Sequence, residues 1–128
     1  VIIRVTIVLL CVIGFYVSAF MAWKARRASR GELDEPSVVQ TPRARAVGGV
    51  PNAVLGLGYY AALACAAPFF SHAGVWWPAL AAAAAAAAFS AYLAYSLLFV
   101  TKMPCVYCWT SHAVNAALLV LVVLARPL

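Results

Sequence analysis

Apolar residues run along this chain in four blocks separated by polar segments. The blocks cover residues 2–23, 51–70, 76–100 and 104–125, and each reaches the roughly 20 residues a helix needs to cross a bilayer. Backbone groups in lipid must bond to one another, so each block is expected to be helical. Arg4 interrupts the first block only near its end, where a long side chain can snorkel to water. Pro51 opens the second block at an expected first helical position, and Pro68 with the Ser71-His72-Ala73-Gly74 turn closes it. Arg126 and Pro127 end the fourth.

The spacing of the blocks sets the topology. A handful of residues joins the second to the third and the third to the fourth, so these neighbours are antiparallel. Residues 24–50 differ, because Gly31, Pro36, Pro42, Gly48 and Gly49 stand among charges. Too polar to enter lipid, this segment is expected to form a partly helical cap over one end of the bundle. The cap and the start of the fourth block then lie on the same side. The expected fold is all-α, a single-domain integral membrane four-helix bundle over residues 1–128.

Composition agrees with this picture. The chain is 67% hydrophobic and only 9% charged, whereas soluble domains are about a quarter charged. The first block is too long for a signal-peptide core and lacks a cleavage site, so it reads as a span. The net charge of +6 does not point to nucleic acid. Six of the nine basic residues share residues 24–45 with all three acids, and no aromatic is interleaved with the arginines. Lipid headgroups are the better partner. Within the spans there is no acidic residue and no repeat, which argues against a transporter or channel. The alanine run 81–88 reads as close helix packing, and Trp76 and Trp77 as an interfacial belt. Cys11 and Cys65 read as small core residues.

Candidate chemistry gathers where the fourth block begins, Met-Pro-Cys-Val-Tyr-Cys-Trp-Thr-Ser-His-Ala-Val-Asn. Pro104 presets the helix start, and Cys105 falls in the first turn, where unpaired N–H groups favour a thiolate. Cys105 and Cys108 share a helical face that continues through His112 and Asn115. A polar stripe at lipid depth must face the bundle interior or a ligand. Taken alone, a Cys-X-X-Cys pair is a redox couple, a pair of inert thiols or half a zinc site. Zinc needs about four ligands, and His112 is the only further candidate nearby, since His72 lies at the opposite end. No metal is expected.

Two segments, Gly-Val-Pro-Asn-Ala-Val-Leu-Gly-Leu-Gly-Tyr-Tyr at 49–60 and Cys-Val-Tyr-Cys-Trp-Thr-Ser-His-Ala-Val-Asn at 105–115, resemble the vitamin K epoxide reductase family of membrane thiol oxidoreductases. The resemblance implies a redox-active disulfide, with Cys105 exchanging with a thiol partner protein or small thiol and Cys108 facing a quinone of the ubiquinone or menaquinone type. It implies that Asn52 bonds one quinone carbonyl and that His112 stands where the family places a second donor, often a tyrosine. A helix-start cap remains open for Asn52 and a satisfied interhelical hydrogen bond for His112. Tyr60 and Asn115 complete the candidate quinone contacts, with helix packing the other role for Tyr60. The implied location is a bacterial or archaeal cell membrane.

The chain departs from the family in one respect. The family carries a second cysteine pair in its first connection, and residues 24–51 hold none; Ser29 and Ser37 stand near the expected places and Thr41 beyond them. Direct exchange at Cys105, a replaced shuttle, or a non-catalytic subunit of a larger membrane complex would each account for this. The charge pattern opposes the family in a second respect. Lys24, Arg26, Arg27, Arg30, Arg43, Arg45 and Lys102 lie on the cap side against Arg4 and Arg126 on the other, which assigns the dithiol to the cytoplasmic face. The family opens its site to the opposite face.

Overall fold

The structure, a computed structural model, describes residues 1–32, 45–47, 50–103 and 105–127. Four helices carry the chain: α1 (Ile2–Ser29), α2 (Asn52–Ala66), α3 (Ala73–Ser96) and α4 (Val106–Leu124). A 3-10 turn at Ala67–Phe69 extends α2, and a π-helical segment at Leu97–Thr101 extends α3. With these extensions all four are long and apolar enough to cross a membrane. The protein is an all-α, multi-pass membrane bundle. Large apolar side chains such as Leu9, Val12, Val120 and Val123 remain exposed on its outer faces, where lipid replaces water as the solvent.

α1 continues as a helix to Ser29, past Trp23 and into the polar connection. That connection also holds a short antiparallel pair, β1 (Arg45–Val47) with β2 (Val50–Pro51). Most of the expected cap, with Ser37 and Thr41, lies outside the described residues. Pro51 adopts φ −58° and ψ 138° and precedes α2 as its N-cap, so Asn52 is the first helical residue.

α1 packs along both α2 and α4, and α4 packs along α3, whereas α2 and α3 touch at few points. At one end of the bundle the Arg4 guanidinium donates to the Pro68 carbonyl at 3.2 Å, a snorkelling cation that also satisfies the end of α2. At the other end the rings of Phe20 and Tyr107 meet at 4.5 Å, joining the last turns of α1 to the first turn of α4. The core between these ends includes Ile7, Cys11, Tyr60, Leu63, Ala83, Leu118 and Val122.

Two expectations from the sequence are corrected here. Trp77 is 62% exposed, as an interfacial residue would be, but Trp76 is only 4% exposed. Its indole N–H donates to the Val122 carbonyl at 2.8 Å, so Trp76 pins α3 to the end of α4 from inside the core. Cys11 is buried as expected, whereas Cys65 is exposed on the outer face of α2.

Candidate active site

Cys105 and Cys108 form a disulfide at the start of α4. Cys105 stands before the first turn rather than in it, as the N-cap residue with extended backbone (φ −152°, ψ 96°). Its sulfur accepts the Cys108 backbone N–H at 3.2 Å, satisfying one of the donors a helix start leaves unpaired. The approach to this cap is a tight reversal. The π-helical end of α3 closes with Lys102 in the left-handed region (φ 54°, ψ 32°), and the Lys102 N–H returns to the Leu97 carbonyl at 3.0 Å. An L-residue is disfavoured there by about 1–2 kcal/mol, a local cost borne next to the dithiol.

Residues of all four helices line an open-sided cavity of about 430 Å³ that includes Cys108. Cys108, Ser111, His112 and Asn115 line it from α4, at the i, i+3, i+4, i+7 spacing of one helical face. Asn52 and Tyr60 line it from α2, Ser18 and Met21 from α1, and Ser90 and Phe89 from α3. Cys105 is not among the walls. The stripe read from the sequence therefore enters the cavity at Cys108, and Cys105 stands ahead of the helix, which begins at Val106 rather than Pro104. Of the two bonded residues, Cys108 lines the cavity and Cys105 does not. Much of the α3 wall is Ala82, Ala85 and Ala86, so the alanine run makes room for this volume while Ala83 packs in the core.

A chain of hydrogen bonds crosses the cavity floor. The Tyr60 hydroxyl meets Ser111 Oγ at 2.9 Å and donates to Asn115 Oδ1 at 2.6 Å; Asn115 Nδ2 in turn donates to Ser90 Oγ at 2.5 Å. Tyr60 is 1% exposed and Asn115 9%. The chain ties α2, α4 and α3 together where α2 and α3 make little direct contact. His112 has a different environment. Its ring meets the Trp109 ring edge-on at 5.8 Å, and its Nδ1 is buried with no hydrogen-bond partner among the described residues.

Sequence reasoning missed Ser18, Ser90 and Ser111, and it also missed Gly14. Ser111 could have been found, since it completes the spacing of the α4 stripe. The others depend on which helices meet, and a single-helix pattern does not carry that. Tyr59 was missed as well. Its ring packs on Tyr60 at 5.1 Å, and its hydroxyl is buried with no partner among the described residues. An unpaired buried hydroxyl costs about 1–3 kcal/mol, whereas a paired one stabilises. Tyr59→Phe is therefore expected to hold or raise the thermal midpoint in detergent, and Tyr60→Phe to lower it. The reverse order would show that the two hydroxyls have been assigned the wrong roles.

No group of three or more His, Cys, Asp or Glu side chains among the described residues is placed to hold a metal ion. What the geometry offers is a disulfide with Cys108 on the wall of a mainly apolar cavity. The sequence profile described as the vitamin K epoxide reductase family matches residues 5–123, nearly the whole chain. The chain belongs to this family. Membership makes it a membrane thiol oxidoreductase by descent. No individual curated protein matches the chain.

Proposed function

We propose that this chain is a quinone-coupled thiol–disulfide oxidoreductase acting through the Cys105–Cys108 pair. The observation that carries the reading is the asymmetry of the disulfide, with Cys108 on the wall of the apolar cavity and Cys105 outside it. A partner thiolate attacks the Cys105 sulfur, the outer of the two, and releases Cys108 as a thiolate against the cavity. A second partner thiol displaces Cys105 and leaves as part of the partner's own disulfide. Cys105 and Cys108 are then both reduced. When the pair closes again it gives up two electrons and two protons, and a quinone held in the cavity supplies the acceptor for both. The balance is one dithiol and one quinone consumed, one disulfide and one quinol formed.

The residues present suit such a ligand. The walls are mainly apolar, and the buried, unpartnered Nδ1 of His112 marks a polar group with unmet hydrogen-bonding capacity at the cavity. Asn52, at the first turn of α2, and His112, one turn below Cys108, would hold the two ring oxygens. Tyr60 and Asn115 are engaged with each other and with Ser111 and Ser90, so their part is to shape the floor. In this reading the partner thiol reaches Cys105 directly, without a shuttle pair in the first connection.

The test is purified protein in lipid nanodiscs, given dithiothreitol and a short-tailed quinone. Quinone-dependent dithiol oxidation well above background, lost in Cys108→Ala, is expected. A rate equal to that of empty nanodiscs would instead favour a non-catalytic subunit of a larger membrane complex. The absence of cysteines from residues 24–51 is the observation behind that second reading.

A further inference from the structure

Serine and threonine side chains in helices can return their hydroxyl proton to the backbone carbonyl four residues earlier. Thr6, Ser96 and Thr110 do so here, at 2.8, 3.0 and 2.8 Å. Ser90 does not. Its oxygen is occupied as an acceptor by Asn115 Nδ2, and among the described residues it has no acceptor for its own proton. Yet the side chain is 94% buried by its 6% exposure, and what it lines is the cavity.

The direction of the floor chain explains this. Tyr60 gives its proton to Asn115 Oδ1, so Ser111 must give its own to Tyr60. Asn115 gives an N–H to Ser90. Every bond in the series Ser111, Tyr60, Asn115, Ser90 runs the same way, and each donor polarises the next. The series ends on a hydroxyl with a proton to donate and only the cavity to donate it into.

We propose that Ser90 is a specificity-determining residue, whose hydroxyl donates to the ring oxygen of a bound 1,4-quinone that faces away from Cys108, with Asn115 and Tyr60 as positioning residues behind it. The proposal rests on the quinone-coupled reading above. Cys108 and Asn115 are seven residues apart on α4, roughly 10 Å along its axis at 1.5 Å per residue. A ring with oxygens on opposite edges fits that room, once a sulfur contact is added at one end and a hydrogen bond at the other. A carbonyl oxygen has two lone pairs, so Ser90 and His112 can both serve the lower oxygen, one from α3 and one from α4. The ligand class selected is a flat ring with an acceptor at its deep edge; a ring with one oxygen only, held at the mouth, leaves the Ser90 proton unmet.

The experiment uses the oxidised protein in nanodiscs without any thiol, so that nothing turns over. Binding of a short-tailed benzoquinone and of a naphthoquinone is followed by tryptophan quenching, and the carbonyl stretches of the bound ring by infrared difference spectroscopy. In Ser90→Ala the affinity is expected to fall about tenfold, as for one lost hydrogen bond to a buried oxygen. One carbonyl band should move to higher frequency. Asn115→Ala should shift the same band, the double variant should add little, and Ser90→Thr should restore both affinity and band. Ser90→Cys, close to serine in volume, separates loss of the donor from loss of packing. Unchanged affinity and bands in Ser90→Ala overturn the proposal while leaving the parent reading intact. A wild-type protein that binds neither quinone defeats the parent reading as well.

Discussion

Replacing Cys105 with serine is expected to reduce thiol-dependent turnover to background while leaving Cys108 as a lone thiol on the cavity wall. An apolar, lipid-soluble maleimide should then label it, and a charged, membrane-impermeant one should not. Cys108→Ser should be labelled by the charged reagent as well, because the thiol that remains caps α4 outside the cavity. Both variants lose the disulfide and both lose turnover, so activity alone cannot tell the sulfurs apart. Labelling reads which environment each occupies. Mass spectrometry of the intact chain after each reagent measures it, and equal labelling of the two variants by both reagents would remove the asymmetry on which the mechanism stands. Cys65 is exposed on the outer face of α2 and Cys11 is buried, so a Cys65→Ala background keeps the readout clean.

The largest effect on stability is expected at Gly14. A Cβ there would lie 2.6 Å from Cε1 and Cζ of Tyr60 and 2.8 Å from Cε2, closer than carbon atoms approach. The ring cannot yield easily, since its hydroxyl is fixed by Ser111 and Asn115 on the far side. Overpacking of this kind costs about 1–3 kcal/mol and sometimes more. Gly14→Ala should therefore lower the thermal midpoint and weaken the floor chain together. Gly56→Ala places its Cβ 2.5 Å from Ser18 Oγ, a short side chain that can change rotamer, so its cost is smaller. Gly58 has nothing within 4 Å of the added atom, and alanine there gains up to about 1 kcal/mol of helix propensity. The order of midpoints, measured by heating in detergent, should run from Gly58→Ala down through Gly56→Ala to Gly14→Ala. Equal midpoints for Gly14→Ala and Gly58→Ala would refute the close contact of α1 with α2.

The helices were legible in the sequence because lipid imposes one rule along the whole chain. Every residue at membrane depth must be helical and mostly apolar, so length and hydropathy alone mark the spans. The α4 face was legible for a related reason. Cys108, His112 and Asn115 are polar where polarity is costly, and helical spacing puts them on one side. What stayed hidden depends on contacts between helices. Trp76 and Trp77 are adjacent and chemically identical, and only the position of Val122 decides which of them is buried. Ser90 follows a run of alanines that reads as packing material, and its importance comes from an asparagine 25 residues further along. Gly14 carries no signal until a tyrosine is placed against it. Cys105 was misplaced by two positions, since α4 begins at Val106 rather than Pro104, which moved it from the first turn to the cap.

The uneven packing of the four helices also bears on how the site is supplied. In space they follow the order α2, α1, α4, α3, like the letter C, with extensive contact at each step and little where the arms face each other. Thermal breathing parts such a shape first across its gap, since little packed interface has to be broken there. Among the described residues the floor chain bolts the arms at the level of Asn115. A hydrocarbon-soluble reactant arriving through the gap never passes through water. The concentration that governs its encounter rate is then its mole fraction in the surrounding lipid, so diluting the nanodiscs in buffer should leave the rate per protein unchanged, whereas diluting the quinone with additional lipid should lower it.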